Sequence, residues 1–510
     1  MISKRGGLWF IGFIMCFAHY AQAQSFAETA LLFSRTQPGG SARIQSMGGA
    51  QVGLGGDFSS ALSNPAGLGM FNRSEFTLSP AFNFANSSST YFNNKVNDSK
   101  TTFHIPGFSL SFHNDYDKLT GFLGGTFAIG YTRTNDFNRN LSYGADDIDT
   151  SIIDYFIERA NTEQANKSPG SQFAPGGSLE NTPTQLGYEN YLIGDSTVWD
   201  PNANPNAYFT DVLGKPNTKE EIQTRGAQTQ LSFSYGANYN DRLFIGGGIG
   251  VTTIRYKSRK RYEEAFQNEP LNDLFLEENL EIRGSGINAS LGLIFRPIDF
   301  VQIGVSATSP TYYELSDNYS ALMRTHWNGF DYYGDNSVIL SNEQYETDLI
   351  TSDYSLQTPG KVSLGATFFL QKKGFLTLDV ERTNYTKAKY NAVTQGVSFD
   401  AENDDIQSLY QPVYNMRAGV EYRLNAFRFR TGFALMPEPF KSVQNNVSTS
   451  IQRITGGIGY REKNFYIDMA VVHNFGDNSY RPYTVNSSAT PLVSFSQKAT
   501  NLMFTVGLTF

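Results

Sequence analysis

Histidine and cysteine are scarce in this chain, Ser and Asp are too common to single any out, and no spacing assembles a reaction centre. Of the 5 histidines, His19 lies in an N-terminal apolar stretch; the others are His104, His113, His326 and His473. A nucleophile and its base must stand within hydrogen-bond reach, and His104 and His113 fall at opposite ends of one expected strand. No His-x-x-x-His, Gly-x-Ser-x-Gly or Cys-x-x-Cys spacing occurs. The one cysteine, Cys16, lies in the same apolar stretch, so a processed chain has no thiol nucleophile, disulfide or Cys-ligated metal. Asp146, Asp147 and Asp149, like Asp404 and Asp405, are acidic runs without the EF-hand pattern. The expectation is a protein that is not an enzyme and holds neither metal nor cofactor.

What remains is non-covalent chemistry. Arg428 and Arg430 share one face of an extended segment. They could hold a carboxylate headgroup, or pair with Asp379, Glu381 or Asp468 on neighbouring strands; the second is the favoured reading. Two segments offer apolar contact. Residues 147–160 place Ile148, Ile152, Phe156 and Ile157 near helical spacing, with Asp147 and Asp149 early in the turn. That helix would line a ligand entrance or pack on neighbouring loops. Residues 319–333 carry Leu322, Met323, Trp327, Phe330, Tyr332 and Tyr333, which would contact an apolar ligand or anchor at a membrane interface.

The elements that must position these residues are strands. With 40 Phe, 29 Tyr, 47 Gly and only 17% charged residues, the chain falls below the roughly 25% charge of soluble domains and is too aromatic for disorder. A net charge of −8 argues against a nucleic-acid partner. A mean hydropathy of −0.36 and the lack of long apolar runs exclude a helical membrane protein. The last ten residues, NLMFTVGLTF, alternate strictly, with Leu502, Phe504, Val506, Leu508 and Phe510 on one face. A soluble edge strand would carry a charge or Pro to block aggregation; this one has neither. The alternation recurs at 361–370, 374–381, 427–435 and 464–475. It is the pattern of strands with lipid on one side and a lumen on the other. Arg428, Arg430, Asp379 and Glu381 must then face inward, since Arg at the midplane of the lipid face costs about 2–4 kcal/mol.

About fourteen such strands are expected, an even number as in bacterial barrels. They lie near 75–85, 103–113, 122–136, 227–239, 242–261, 278–296, 300–311, 360–370, 374–385, 412–423, 426–437, 451–461, 464–475 and 499–510. Short turns alternate with long polar loops at 86–102, 137–226, 262–277, 312–359, 386–411, 438–450 and 476–498. The fold class is therefore all-β, a transmembrane antiparallel barrel over 73–510.

Ahead of the barrel, Lys4 and Arg5, the apolar run Leu8 to Ala18, and Ala21 and Ala23 have the order of a secretory signal at 1–23, cleaved before Gln24. Residues 24–72 do not alternate. They hold a short helix from Ala27 to Ser34, a glycine-dense stretch, and Asn64-Pro65-Ala66. That composition suits a compact plug inside a lumen.

This layout resembles the FadL/TodX family of outer-membrane transporters of long-chain fatty acids and other hydrophobic compounds, in which a hatch ending in Asn-Pro-Ala runs into a fourteen-stranded barrel. Asn64, Pro65 and Ala66 match that motif. The stretches at 284–312, 358–368, 422–439 and 456–461 also fit, so the resemblance covers nearly the whole mature chain. It implies a hydrophobic small-molecule ligand that lands among extracellular loops, passes to the upper lumen, and leaves when the hatch moves, sideways if the third strand is kinked. Gly124, Gly125 and Gly130 are the candidates for that kink. Phe156, Ile157, Leu322, Met323, Trp327 and Phe330 are candidate ligand contacts, and Arg428 and Arg430 candidate headgroup partners. The resemblance further implies a monomer in the outer membrane of a Gram-negative bacterium, in contact with its lipids and recognised by the barrel-assembly machinery through Phe510. The alternative is a shuttle or anchor of a secretion machine with the same hatch and barrel.

Overall fold

A computed structural model describes residues 25–116, 118–163, 170–195, 207–394, 396–486 and 491–510. The expected signal segment at 1–23 and the expected cleavage point before Gln24 lie outside the described residues.

The chain begins inside what becomes the lumen. Helix α1 (Phe26–Ser34) is capped by Ser25, whose Oγ accepts from the Glu28 amide. It starts one residue before the expected helix. Two single-turn helices follow, α2 (Ala42–Gln45) and α3 (Ser60–Ser63), then a 3-10 helix at Pro65–Met70. The Asp57 carboxylate knots this segment together by accepting from the Ser41 hydroxyl and from the Ser59 amide and hydroxyl.

The wall is an antiparallel ring of 14 strands. They are β1 (Glu75–Tyr91), β2 (Asn94–Asp115), β3 (Phe122–Asp136, continued at Arg139–Ala145), β4 (Asn217–Tyr239), β5 (Leu243–Ala265) and β6 (Leu271–Ile298). Then come β7 (Val301–Thr308 and Tyr312–Asp331), β8 (Ile350–Gln357 and Lys361–Phe369), β9 (Gly374–Asn384) and β10 (Pro412–Leu424). The last four are β11 (Phe427–Met436), β12 (Ile451–Arg461), β13 (Phe465–Tyr480) and β14 (Val493–Thr509). β14 returns to β1 from Glu75↔Thr509 to Tyr91↔Val493, and the Phe510 amide donates to the Ser74 carbonyl at 3.0 Å. Closure pairs neighbouring strands around the ring, except β2 above Gly107 on its β3 side, and so satisfies most of the wall's backbone without water, as a sheet that spans lipid requires. The outer face carries the apolar band: Phe76, Leu78, Phe82 and Phe84 on β1, and Ile303, Leu364, Leu378, Phe429, Ile467 and Val506 around the ring are all exposed.

Several strands run far past the expected ends. β1 and β2 meet in a tight turn after Tyr91, so most of the expected loop at 86–102 is hairpin. The expected loop at 262–277 is largely strand, and the one at 312–359 holds three strand segments. The reason is visible on β5. Within lipid its apolar residues face out (Ile245, Ile249, Val251); above it they face in (Ile254, Tyr256, Tyr262), with Arg255, Lys257 and Arg259 outside. The apolar phase inverts where lipid gives way to water, so a search for one continuous apolar face ends the strand there. β6 inverts likewise, from Ile287 and Leu291 outside to Ile282 and Leu276 inside.

Above the wall, helices α4 (Ile152–Glu163) and α5 (Pro183–Glu189) form a dome, and α6 (Asp400–Leu409) lies on the opposite side. The expected helix at 147–160 thus begins later, at Ile152.

Candidate functional site

The hatch is seated against glycines of the wall. A Cβ on Gly246 would lie 2.3 Å from the Pro65 carbonyl carbon, and one on Gly292 1.8 Å from Asn64 Oδ1. Gly304 and Gly365 face Val52 and Gly53 in the same way, and Gly419 and Gly432 face Met47. Several of these glycines are ladder neighbours: Gly236↔Gly246↔Gly292 on β4–β6, Gly304↔Gly365 on β7–β8, and Gly419↔Gly432 on β10–β11. The lumen face therefore carries a belt without side chains, into which hatch backbone fits.

Asn64 joins hatch to wall. Its Nδ2 donates to the Val52 carbonyl at 2.7 Å and to the Leu293 carbonyl of β6 at 3.4 Å, while Oδ1 accepts from the Ala66 amide at 3.2 Å. Pro65 and Ala66 open the 3-10 helix that Asn64 caps. Asp379 of β9 supplies the second joint: its Oδ2 accepts from the Gln51 and Val52 amides at 2.6 and 2.9 Å.

The charged side chains sort as inward-facing pairs. Arg430 donates to Glu421 at 2.7 Å and to Asp468 at 2.5 Å; all three side chains are at most 2% exposed. Arg43 of the hatch reaches the same Glu421 at 3.7 Å. Arg417 pairs with Glu381 at 3.1 Å. Arg428, two residues below Arg430 on β11, donates to the carbonyls of Asn425 and Phe427 in its own turn. Neither Arg428 nor Arg430 reaches the upper lumen, so neither is placed to meet a headgroup there.

Above the hatch lies a small chamber. Its walls are polar, with Gln228, Gln230, Asn288 and Thr252 on one side and Lys361, Glu381 and Arg417 on the other. Lys361 Nζ donates to Thr36 of the hatch. Phe33 and Tyr313 line the chamber and also belong to an adjoining aromatic core. In that core α1 is clasped by the wall and α6. Phe26 makes edge contacts with Tyr354, Tyr390 and Phe399, at centroid distances of 5.7, 5.2 and 5.3 Å. The Tyr390 and Tyr410 hydroxyls each donate at 2.9 Å, to the Phe26 and Ala27 carbonyls. The helix of the hatch thus fills the most aromatic part of the upper lumen.

The sequence-picked apolar contacts do not line this space. Phe156 is fully buried in the dome core with Met323 and Trp327, and Ile157 packs against it. Trp327 stacks on Phe330 at 5.7 Å and 16°. Met323 and Trp327 sit on the inward face of β7 rather than in a loop, and Leu322 lies on its outer face. Phe156, Ile157, Met323, Trp327 and Phe330 hold the dome onto the barrel, and Leu322 is not part of that core. The residues that do surround the lumen's apolar space (Phe26, Tyr354, Tyr390 and Phe399) stand in separate segments, and no local spacing marks them. Beneath the dome, Glu264 accepts from Ser151, Tyr262 and the Ile152 amide, and burial pushes its carboxyl up to about 7. Burial raises Glu220, partner of Tyr143, to about 7 as well.

The third strand parts from the second above Gly107 while staying paired with the fourth. Its ladder with β2 covers only Gly107↔Thr132 to Asp115↔Gly124. Its ladder with β4 shifts register between Phe122 and Gly124 and again between Arg133 and Asn135. Gly124 adjoins the lower shift; Gly125 and Gly130 keep regular pairing. Beyond the upper shift, the Asn140 and Ser142 carbonyls accept from Ser87 and Ser89 of β1, so the strand passes inside the β1–β2 hairpin. Among the described residues, β2 above Pro106 is bridged to this side by side chains: Asp98 accepts from the Ser142 amide at 2.7 Å, and Lys100 donates to the Thr224 carbonyl at 3.0 Å. A second, small cavity opens here between His104, Pro106, Asn135 and the hatch at Pro38 and Gly39.

No protein-family model matches the chain, and no curated protein does. Solved structures do. A Pseudomonas aeruginosa FadL homologue aligns with a TM-score of 0.55 at 11% identity, over 93% of this chain and 99% of that one. The P. putida toluene transporter TodX aligns with a TM-score of 0.50 at 12% identity, over 93% and 99%. The fold is theirs. At such identity the likeness is one of architecture, a closed outer-membrane barrel, and residue roles must come from this chain's own contacts.

Proposed function

We propose that the protein is an outer-membrane channel for hydrophobic small molecules, with long-chain fatty acids as the leading class. The neighbours named for FadL and for toluene transport support this reading. The observation that carries it is the pairing of an aromatic cage, filled by α1, with a chamber that holds Lys361 and Arg417. An amphiphile suits that combination: its chain takes the place of Phe26 and its carboxylate meets the cations. Phe26 is partly buried, so withdrawing it costs at most about 1.5–3 kcal/mol, which the burial of about four methylenes at about 0.8 kcal/mol each offsets. Substrate entry and helix withdrawal are then one exchange, and the seam where β3 parts from β2 is the sideways exit past the second cavity.

The test is binding of a long-chain fatty acid and of its primary alcohol to the folded full chain after detergent exchange. Phe26→Ala removes the competitor and tightens both by about ten- to hundred-fold. Lys361→Met weakens the acid and spares the alcohol. If neither compound binds, or if Phe26→Ala weakens both, the proposal fails.

A further inference from the structure

The outer wall carries a basic patch just above the apolar band, on β4, β5 and β6, and nothing in the transport reading uses it. The register places it in rows. The last apolar row is Leu231–Val251–Ile287; Thr229–Thr253–Ser285 follows; then come Arg255 beside Arg283, and Arg225–Lys257–Glu281. Arg259 and Arg261 continue the stripe on β5. Lys100 arrives from the side, its Nζ on the Thr224 carbonyl.

Cations outnumber carboxylates here although the chain's net charge is −8. Glu281 serves both Lys257, at 3.0 Å, and Arg283. Glu277 serves both Arg259, at 2.7 Å, and Arg261, at 3.3 Å. Glu221 lies 3.5 Å from Arg261, and Glu314 stands at the flank beside Ser285. Among the described residues, the Arg225 and Arg255 side chains have no carboxylate partner. Lys257 and Arg283 stay about half exposed, at 51% and 52%, despite their pairs.

Height selects the occupant. Four residues separate Val251 from Arg255, about 13 Å along the strand and about 10 Å along the barrel axis once tilt is counted. Headgroups occupy about 5–7 Å beyond the hydrocarbon, and Arg and Lys stems reach back toward that layer. We propose that this patch binds the phosphate groups of phosphorylated glycolipid in the outer leaflet. Forked guanidinium donors on Arg225, Arg255 and Arg283 would take the phosphate oxygens. The Thr229, Thr253 and Ser285 hydroxyls lie between those cations and the acyl chains on Val251 and Ile287. The inference does not rest on the transported substrate.

The test uses the folded full chain in zwitterionic detergent, titrated with diphosphoryl lipid A, dephosphorylated lipid A or inorganic phosphate, with bound lipid counted by native mass spectrometry. The expected result is retention of the phosphorylated lipid alone. At least a ten-fold loss is expected for the Arg225→Gln, Arg255→Gln, Lys257→Gln, Arg283→Gln quadruple variant, and none for Lys372→Gln with Lys373→Gln in a turn at the other end of the barrel. Heat-dependent gel mobility checks folding; should the quadruple not fold, Arg255→Gln with Arg283→Gln carries the test. Equal binding of dephosphorylated lipid, or undiminished binding by the folded variant, overturns the proposal. Displacement by inorganic phosphate at equal concentration also overturns it, because the patch would then read a soluble anion rather than a lipid.

Discussion

Alanine at Gly246 and Gly292 should loosen the hatch without touching the barrel's covalent or ionic framework. Neither glycine has a positive φ, so alanine adds a methyl group and no backbone strain. That methyl would lie 2.3 Å from the Pro65 carbonyl carbon at one site and 1.8 Å from Asn64 Oδ1 at the other. Carbon contacts settle near 3.5–4.0 Å, so the Asn64–Ala66 backbone must retreat by roughly 1 Å or more. It cannot do so freely, because Asn64 caps the 3-10 helix and hydrogen-bonds to Val52 and Leu293. Overpacking of this kind costs about 1–3 kcal/mol per site. The two sites press on one segment, so their costs should not add. A loss of 1–3 kcal/mol raises the population of the displaced hatch by about 5- to 150-fold. Planar-bilayer recording would show this as more frequent openings to small ions. Gly247→Ala is the control, since its added methyl faces outward beside Leu291, with the nearest atom at 3.3 Å. Unchanged conductance in the folded double variant, or equal conductance in the control, would refute the reasoning.

Other perturbations address the remaining joints. Asp379→Asn keeps the shape but replaces the charged acceptor for the Gln51 and Val52 amides; about 1.5–3 kcal/mol of hatch attachment should go, read by the same recordings. Arg430→Met leaves Glu421 and Asp468 buried with less compensation, and urea unfolding should show a loss of about 3–5 kcal/mol. Removing Asp468 as well, by Asp468→Leu, should recover part of it. The dome should be more stable in acid. Glu264 and Glu220 are raised to about 7 by burial, so the stability of their protonated forms is complete below about pH 4.5 and is lost as pH rises through about 7. Each contributes at most about 3 kcal/mol. Hydrogen exchange in α4, corrected for its intrinsic pH dependence, should be slower at about pH 5 than at about pH 8, and Glu264→Gln should flatten the difference.

The sequence determined the class of this protein wherever one physical constraint acts on one short segment. Alternation in NLMFTVGLTF and at 427–435 exposes the lipid face because lipid demands an apolar residue at every second position. The glycine-dense run before Glu75 marks backbone packed against backbone. Asn64-Pro65-Ala66 stood out in the sequence only by its resemblance to a family motif, and its role as helix cap and N1 proline came from the structure. Tertiary structure decided the rest. Strand ends above the membrane were hidden because the apolar phase of β5 and β6 inverts where water replaces lipid. Arg430 was left with a headgroup or with Asp379, Glu381 or Asp468 until the register brought Asp468 to it, together with Glu421, which the sequence had not singled out. Phe156, Met323 and Trp327 look in sequence like a ligand surface, because an aromatic side chain has the same composition whether it meets a ligand or a dome. Tyr354, Tyr390 and Phe399 stand on neighbouring segments of the wall and its loops, hundreds of positions after Phe26, and only the seating of α1 in the lumen brings Phe26 to them.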